Sequence, residues 1–321
     1  MRNIHLRQNT AADIDLQVKK ILAGLGNPEP PLRLEDVRAL QKLDKEFYSS
    51  KADGILRETF SRLMVAGKQI LRRPSILIDA IREAELKALY VPDRKMILLD
   101  ETVPAIKQRW NESHEVIHSV LYWHGSVLLG DNQLNLKLCC HERIEAEANY
   151  GSGRLLFLQD QFDRIALDSK PDFRVIKGIA HDFGNSMTST LWRFVEAMDI
   201  PALGVVSQHP HYIDSTFNPS SPCRYFVRSR KFEERFAGVT EMQVFRVMQQ
   251  SCDFRRGGPI GNDEIVLSDD RGEQHLFSFE SFSNRYEVLT LILYLKPRST
   301  NIAVPTIVRA PNRTGDDDWT R

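Results

Sequence analysis

The residues best suited to chemistry lie in one short segment, residues 110–121, which carries the pattern His-Glu-Val-Ile-His at 114–118. Two histidines four positions apart lie on one face of a helix, about one turn from each other. His114 and His118 could then bind one zinc ion, with Glu115 next to the water that zinc activates. Zinc lowers the pKa of water to about 7, and a carboxylate can take its proton as the water attacks a carbonyl. The segment predicts a hydrolytic metal site; the alternative is an amphipathic helix whose histidines make ordinary hydrogen bonds.

A catalytic zinc site needs a third protein ligand and an open fourth position. His124 has the spacing of an extended motif in which a glycine turns the chain back towards the metal. Here that position is Leu121, so we expect a continuing helix to carry His124 away from the metal.

An acidic, alanine-rich segment at residues 140–150 is the better source of the third ligand. A carboxylate on this second helix would complete a His-His-Glu site and leave one position open for water. Glu142, Glu145 and Glu147 are the candidates.

The composition limits the class of protein. The chain has 321 residues, with 43 Lys and Arg against 43 Asp and Glu. A formal net charge of zero argues against a broad nucleic-acid surface, although a local basic patch is compatible with it. The four cysteines form no C-x-x-C pair, no signal peptide is recognised, and no apolar run is long enough to span a bilayer, so we expect a cytoplasmic protein with free thiols.

Periodicity predicts an α+β fold. Helices are expected at residues 11–24, 34–47, 55–71 and 75–88, and two short strands at 88–91 and 95–100 joined by a turn at Pro92-Asp93. Further strands are predicted after Cys223. The expected organisation is an N-terminal helical segment over 1–72, a zincin-like catalytic domain over 73–210, a β-rich domain over 211–300 and a loosely ordered tail over 301–321.

Several pieces of the chain, in order between residues 28 and 210, resemble the ImmA/IrrE family of zinc metallopeptidases. The matching segments are Pro30-Pro31 with Leu34-Glu35, residues 95–100, residues 107–110 followed by the 114–118 motif, Glu145-Ala146-Glu147-Ala148-Asn149 with Leu155-Leu156-Phe157, and residues 183–195. The resemblance implies a zinc endopeptidase that cuts a specific cytoplasmic protein, typically a helix-turn-helix repressor. It also implies that the β-rich domain is a regulatory or partner-binding module.

The same resemblance implies the roles of individual residues. Zinc is expected on His114, His118 and Glu147, the glutamate just before Ala-Asn, with Glu115 as general base. Glu145 is expected to point to another side of the helix. Two positions depart from the family pattern: Ile117 stands where a glycine is usual, and Gly151 follows Tyr150 where an aromatic-alanine pair is preferred.

Other features support other hypotheses. Residues 179–195 resemble a helix-turn-helix, but the second helix offers mainly Arg193 for DNA contact. A DNA-binding protein and a non-catalytic regulator that keeps the zinc fold and binds a partner are therefore the alternatives. Tyr122, Tyr150, His209 and His211 are candidates for stabilising an oxyanion, and the sequence does not choose among them.

Overall fold

The computed structural model describes residues 2–48, 88–91, 95–124 and 138–298, with side chains described from residue 142 onward in the last range. Helices and strands are mixed along the chain, so the expected α+β class is confirmed. The helices are α1 (Gln8–Gly24), α2 (Leu34–Gln41), α3 (Ala105–Val120), α4 (Leu138–Leu156), α5 (Asp160–Asp168), α6 (Phe173–Asp182), α7 (Met187–Ala197), α8 (Arg230–Arg235) and α9 (Glu241–Ser251). The strands are β1 (Asp44–Tyr48), β2 (Ala88–Val91), β3 (Met96–Asp100), β4 (Ala202–Ser207), β5 (Cys223–Arg228), β6 (Gly258–Ser268), β7 (Gln274–Ser283) and β8 (Val288–Pro297).

The small sheet corrects one sequence prediction. Residues 34–47 were expected to form one helix, but α2 ends at Gln41, and Lys42 adopts the left-handed conformation that caps it. The chain then forms β1, which pairs parallel with β3, while β2 pairs antiparallel with the other side of β3. Pairing with the fully buried strand β3 overrides the local helical pattern.

The large sheet is antiparallel, with strand order β5-β4-β8-β7-β6. Strand β4 was predicted to belong to the catalytic domain, and a boundary at residue 210 would separate it from the strands β5 and β8 with which it pairs. Ala202 and Val206 pack into the core formed with the N-terminal helices, whereas Leu203 and Val205 pack with α8 and α9. The sheet is therefore a layer between two groups of helices, and one of its faces shares a core with α1, α3 and α4.

This arrangement explains the hydrophobic sequence of the central strands. Each residue of β4 is buried, as are the first six residues of β8. Strands that are covered on both faces contain continuous apolar runs rather than an alternation of apolar and polar residues. The sequence pattern alone does not show which helices cover each face.

Some sequence predictions concern residues outside the described ranges. The helices expected at 55–71 and 75–88 lie there, apart from Ala88, which begins β2, and so do the Pro92-Asp93 turn and the 301–321 tail. Among the helices within the described ranges, none combines the length and apolarity needed to cross a bilayer.

Buried polar contacts fix the position of α3. The carboxylate of Glu112 is buried and accepts hydrogen bonds from Arg38 of α2 and Lys45 of β1, at 2.7 and 3.1 Å. At another point on the helix, Arg109 donates to the side chain of Asn185 and to the carbonyl of Phe183, which lie between α6 and α7. These contacts hold the helix that carries the His-Glu-x-x-His motif from two directions.

The two departures from the family pattern lie against each other where α3 meets α4. A Cβ atom added to Gly151 would lie 2.7 Å from Cγ2 of Ile117, closer than carbon atoms pack, and 3.2 Å from its Cδ1. Ile117 is fully buried at this contact. The branched side chain on α3 therefore requires a residue without a side chain on α4, and the pair sets the spacing between the two helices.

We expect Gly151→Ala to lower the free energy of unfolding by about 1–3 kcal/mol through overpacking, although alanine is the better helix former. In an Ile117→Ala background the same substitution should be neutral or stabilising by up to about 1 kcal/mol. Gly178→Ala is the matched control, because Gly178 is a helical glycine with no atom near its added Cβ, and it should stabilise by about 0.5–1 kcal/mol. Urea denaturation measures all four variants; equal effects of Gly151→Ala in both backgrounds would show that the contact does not limit the packing.

Candidate metal centre

Two imidazoles of α3 face each other across one turn of the helix. The Nε2 atoms of His114 and His118 lie 3.1 Å apart, and the ring centroids are 4.8 Å apart. The four-residue spacing predicted this placement. Both Nε2 atoms point towards α4.

Glu145 of α4 brings a carboxylate to the two imidazoles. Its Oε2 lies 3.1 Å from Nε2 of His114, and its Oε1 lies 3.6 Å from Nε2 of His118. Ligand atoms from these three residues all lie within 4.8 Å of one another. The structure thus assembles a His-His-Glu group, with Glu145 as its carboxylate.

The structure exchanges the predicted positions of Glu145 and Glu147. Glu147 was expected in the metal group, but its Oε2 accepts hydrogen bonds from Trp123 Nε1 at 2.8 Å and His124 Nε2 at 3.2 Å. Its Oε1 accepts one from Arg143 Nε at 3.0 Å. Residues two apart on a helix point in directions about 200° apart, so one helix rotation cannot aim both carboxylates at the imidazoles.

Asn149 is the sequence signal that could have selected Glu145. Its Oδ1 lies 3.2 Å from Nδ1 of His114. Glu145 and Asn149 are four residues apart and share one face of α4, whereas Glu147 does not share that face. The third candidate, Glu142, is exposed on the same helix.

The hydrogen bond to Asn149 places a hydrogen on Nδ1 of His114, because an amide oxygen only accepts. Nε2 faces Glu145: it donates to that carboxylate when the ring is protonated, and it offers a lone pair when the ring is neutral. Burial lowers the pKa of His114, but the hydrogen bond with Glu145 and the charges of Glu115 and Glu145 outweigh it, and the pKa is raised. In the metal-free protein a proton can hold this group of electron-pair donors together.

The three donors also fit a metal ion. With metal–ligand bonds near 2.1 Å, the ligand atoms of a tetrahedral site lie about 3.4 Å apart. The two imidazole nitrogens are 3.1 Å apart, and the two Glu145 oxygens lie 3.1 Å from the His114 nitrogen (Oε2) and 3.6 Å from the His118 nitrogen (Oε1). Two imidazole nitrogens and a carboxylate oxygen are ligands that zinc accepts. The Glu145 side chain is 40% exposed, whereas that of His118 is 5% exposed, so solvent reaches the group from the Glu145 side.

Glu115 has an unusual protonation equilibrium. Burial raises its pKa, as does the charge of Glu145, while His114 and a hydrogen bond from the Tyr90 backbone N–H lower it; the pKa is about 7. A carboxylate with a pKa near neutrality can both accept and return a proton.

His124 does not lie where the sequence predicted. Helix α3 ends at Val120, and Leu121 adopts an extended conformation with ψ of 93°, so the chain turns without a glycine. The Nδ1 atom of His124 consequently lies 2.9 Å from Nδ1 of His118. His124 is fully buried there and contacts Nδ1 of His118, whereas Glu145 lies at Nε2 of the same ring.

The four residues proposed from the sequence to stabilise an oxyanion make contacts elsewhere or are exposed. Tyr150 donates a hydrogen bond to Asp15 of α1, and Tyr122 is 80% exposed. His209 and His211 contact the carbonyls of Arg255 and Cys252, in the loop after α9. None of these contacts reaches the His-His-Glu group.

A second group of possible ligands is occupied by an arginine. Asp269, Glu273 and His275 lie close together at the β6–β7 turn. The Arg235 guanidinium donates to Asp269 Oδ2 at 3.3 Å and contacts His275 Nε2 at 3.0 Å. The other Asp269 oxygen accepts two backbone N–H groups of the turn. A cation is thus already supplied by the chain, and this group has a structural role.

The raised pKa of Glu115 predicts a pH-dependent stability of the metal-free protein. As pH rises from about 4.5 to about 7, the unfolded chain releases this proton before the folded protein does, so the free energy of unfolding falls through that window. Glu115→Gln removes the titration. In chelator-treated samples the variant should exceed wild type by about 1–3 kcal/mol at pH 8 and match it within about 0.5 kcal/mol at pH 4.

Urea denaturation at several pH values measures this difference. Glu142→Gln changes an exposed carboxylate of α4 and should follow wild type at each pH. Parallel curves for Glu115→Gln and wild type would show that Glu115 titrates normally.

Comparisons with known proteins assign no family. No family model matches the chain, and no curated protein does. A Mycobacterium tuberculosis transcriptional regulator of known structure is similar with a TM-score of 0.48 and 13% sequence identity, over 91% of this chain and 89% of that chain. At this level the similarity assigns neither a fold family nor an activity.

Proposed function

We propose that this protein is a zinc-dependent endopeptidase. The observation that carries the proposal is the convergence of His114 Nε2, His118 Nε2 and the Glu145 carboxylate, with Glu115 adjacent. The two histidines and Glu115 were proposed from the sequence, and Glu145 replaces Glu147 as the third ligand. Zn²⁺ bound there would supply Lewis acidity, which acidifies water and polarises a carbonyl.

Glu115 would provide the proton transfers of hydrolysis. Its carboxylate would take a proton from the attacking water and deliver the proton to the leaving amine. Its pKa of about 7 in the metal-free protein suits both steps, and a nearby cation would favour the ionised form that starts the reaction.

A peptide is the substrate class that the neighbouring strand favours. Within the described residues β2 lies at the edge of its sheet, and the N–H of Tyr90 on β2 hydrogen-bonds Glu115. The outer edge of β2 therefore faces the general base. An extended peptide could add to this edge through main-chain hydrogen bonds, which would bring a peptide carbonyl beside Glu115.

The identity of the protein substrate follows from the family resemblance alone. We propose a specific cytoplasmic substrate such as a helix-turn-helix repressor. The β-rich region would then be the regulatory or partner-binding part, and its sheet shares a hydrophobic core with the catalytic helices.

The DNA-binding alternative loses its main candidate residue. Helices α6 and α7 follow each other across a short turn, but Arg193 of α7 is 8% exposed and donates to Asp163 at 2.6 Å. This buried guanidinium is paired with a carboxylate of the protein and does not face solvent, where DNA would bind. The non-catalytic regulator remains the second candidate, and zinc binding without cleavage of any tested peptide or repressor would favour it.

We expect Glu145→Ala to weaken zinc binding by more than about 100-fold, beyond the effect of a residue that only orients a ligand. Competition with a fluorescent chelator measures the dissociation constant. Glu142→Ala is the control on the same helix, because its side chain is exposed, and it should bind like wild type. Unchanged affinity in Glu145→Ala would remove Glu145 from the metal site.

We expect Glu115→Gln to retain zinc and lose cleavage, because the amide keeps the shape of the carboxylate but cannot accept the proton. Quenched-fluorescence peptide libraries and candidate helix-turn-helix repressors are the substrates, with metal content measured on the same samples. A loss of about 100-fold or more in kcat/KM is the size expected for removal of a general base. Full activity in this variant would exclude the mechanism.

A further inference from the structure

A buried row of polar side chains continues from the candidate metal centre into the protein. The Nδ1 atom of His118 lies 2.9 Å from Nδ1 of His124, and Nε2 of His124 lies 3.2 Å from Oε2 of Glu147. His124 is fully buried, and Glu147 is 3% exposed. These distances place three groups in hydrogen-bond contact on the side of His118 away from Glu145.

The position of each hydrogen in this row follows from the carboxylate of Glu147, which ends the row. A carboxylate only accepts, so Nε2 of His124 carries a hydrogen and donates it to Glu147. The charge of Glu147 is already balanced by Arg143, at 3.0 Å, so His124 is not required as a cation. A neutral His124 with hydrogen on Nε2 has an accepting Nδ1, and His118 must then donate from its own Nδ1. Nε2 of His118 is left with its lone pair directed at His114 and Glu145.

We propose that His124 and Glu147 are positioning residues that hold His118 in the tautomer and ring orientation able to bind zinc. This inference rests on the proposed zinc site and extends it inward. Metal-binding histidines commonly donate their second ring N–H to a buried acceptor, which fixes the tautomer and increases the basicity of the ligand. In this protein the acceptor is a second histidine, His124, which in turn donates its other ring N–H to the carboxylate of Glu147.

The contacts around Glu147 hold its carboxylate in a fixed orientation, as a positioning role requires. Trp123 donates to the same Glu147 oxygen at 2.8 Å, and Arg143 donates to the other oxygen, so the carboxylate is held at both atoms. Asn149 performs the corresponding function for His114 through a direct hydrogen bond. Each imidazole of the site therefore has its own acceptor, and the turn at Leu121 serves to bring His124 into place.

The first test measures the tautomers directly in the metal-free wild-type protein. Nitrogen-15 NMR of the histidine rings should show His118 protonated at Nδ1 and unprotonated at Nε2, and His124 protonated at Nε2. This measurement needs neither zinc nor enzymatic activity. An Nε2-protonated His118, or a doubly protonated His124 at pH 7.5, would overturn the proposal.

The second test measures zinc affinity in two variants. His124→Phe keeps a ring in the buried space but removes both nitrogens, and we expect the dissociation constant for zinc to rise about 10–100-fold. Glu147→Gln keeps the shape of the side chain and removes its charge, so a smaller rise is expected. In both variants the NMR signals of His118 should show that it no longer adopts a single tautomer.

The matched control is His275→Phe. His275 is also a buried histidine that contacts a buried carboxylate, Asp269, but it lies in the large sheet. This variant measures the loss of folding stability caused by removing a buried histidine–carboxylate hydrogen bond, and it should leave zinc affinity unchanged. Near-UV circular dichroism verifies folding, and if His124→Phe does not fold, Glu147→Gln and the wild-type NMR spectrum decide the question.

The outcomes separate this inference from the proposed function. Wild-type protein that binds no zinc would refute the metal centre, whereas the tautomers would still be measured in the same sample. Zinc binding in wild type with unchanged affinity in both variants would refute the positioning role alone. Loss of zinc in Glu147→Gln as complete as in Glu145→Ala would make Glu147 a ligand and would also overturn the proposal.

Discussion

Three electron-pair donors lie close together where α3 packs against α4, and the rest of the site depends on this close approach. His114 Nε2, His118 Nε2 and the Glu145 carboxylate lie within 3.1–3.6 Å of one another. Donors at such distances repel unless a proton or a metal cation lies between them, because each presents negative charge density to the others. The raised pKa of His114 lets a proton take this place in the metal-free protein, and in the function that we propose a metal ion would take it.

Contacts on several sides of α3 hold the helix in the position that brings the three donors together. Glu112 connects the helix to α2 and β1, and Arg109 connects it to the segment between α6 and α7. The Ile117–Gly151 contact sets how closely α4 approaches. Because the two imidazoles and the carboxylate come from different helices, an error of one residue in the packing would separate them. The buried ion pairs and the small-against-large contact prevent such a shift.

The large sheet connects the candidate site to the C-terminal region. Alternate residues of β4 and β8 belong to two hydrophobic cores, one shared with the N-terminal helices and one formed with α8 and α9. The N-terminal helices and α8 with α9 therefore pack on opposite faces of the same two strands. If the β-rich region is regulatory, as we propose, this shared sheet offers a continuous physical connection for it.

The sequence by itself determined the features that depend on local spacing. Four-residue spacing placed His114 and His118 on one helix face with Glu115 beside them, and the acidic segment was identified as the partner helix. Class α+β followed from periodicity. Only the tertiary structure decided which carboxylate contacts the two imidazoles, because the choice between Glu145 and Glu147 depends on how α4 is rotated against α3, and local sequence does not encode that rotation. The same reason applies to residues 44–48, which become a strand only because β3 is present to pair with them, and to His124, which returns to His118 through a turn at a leucine.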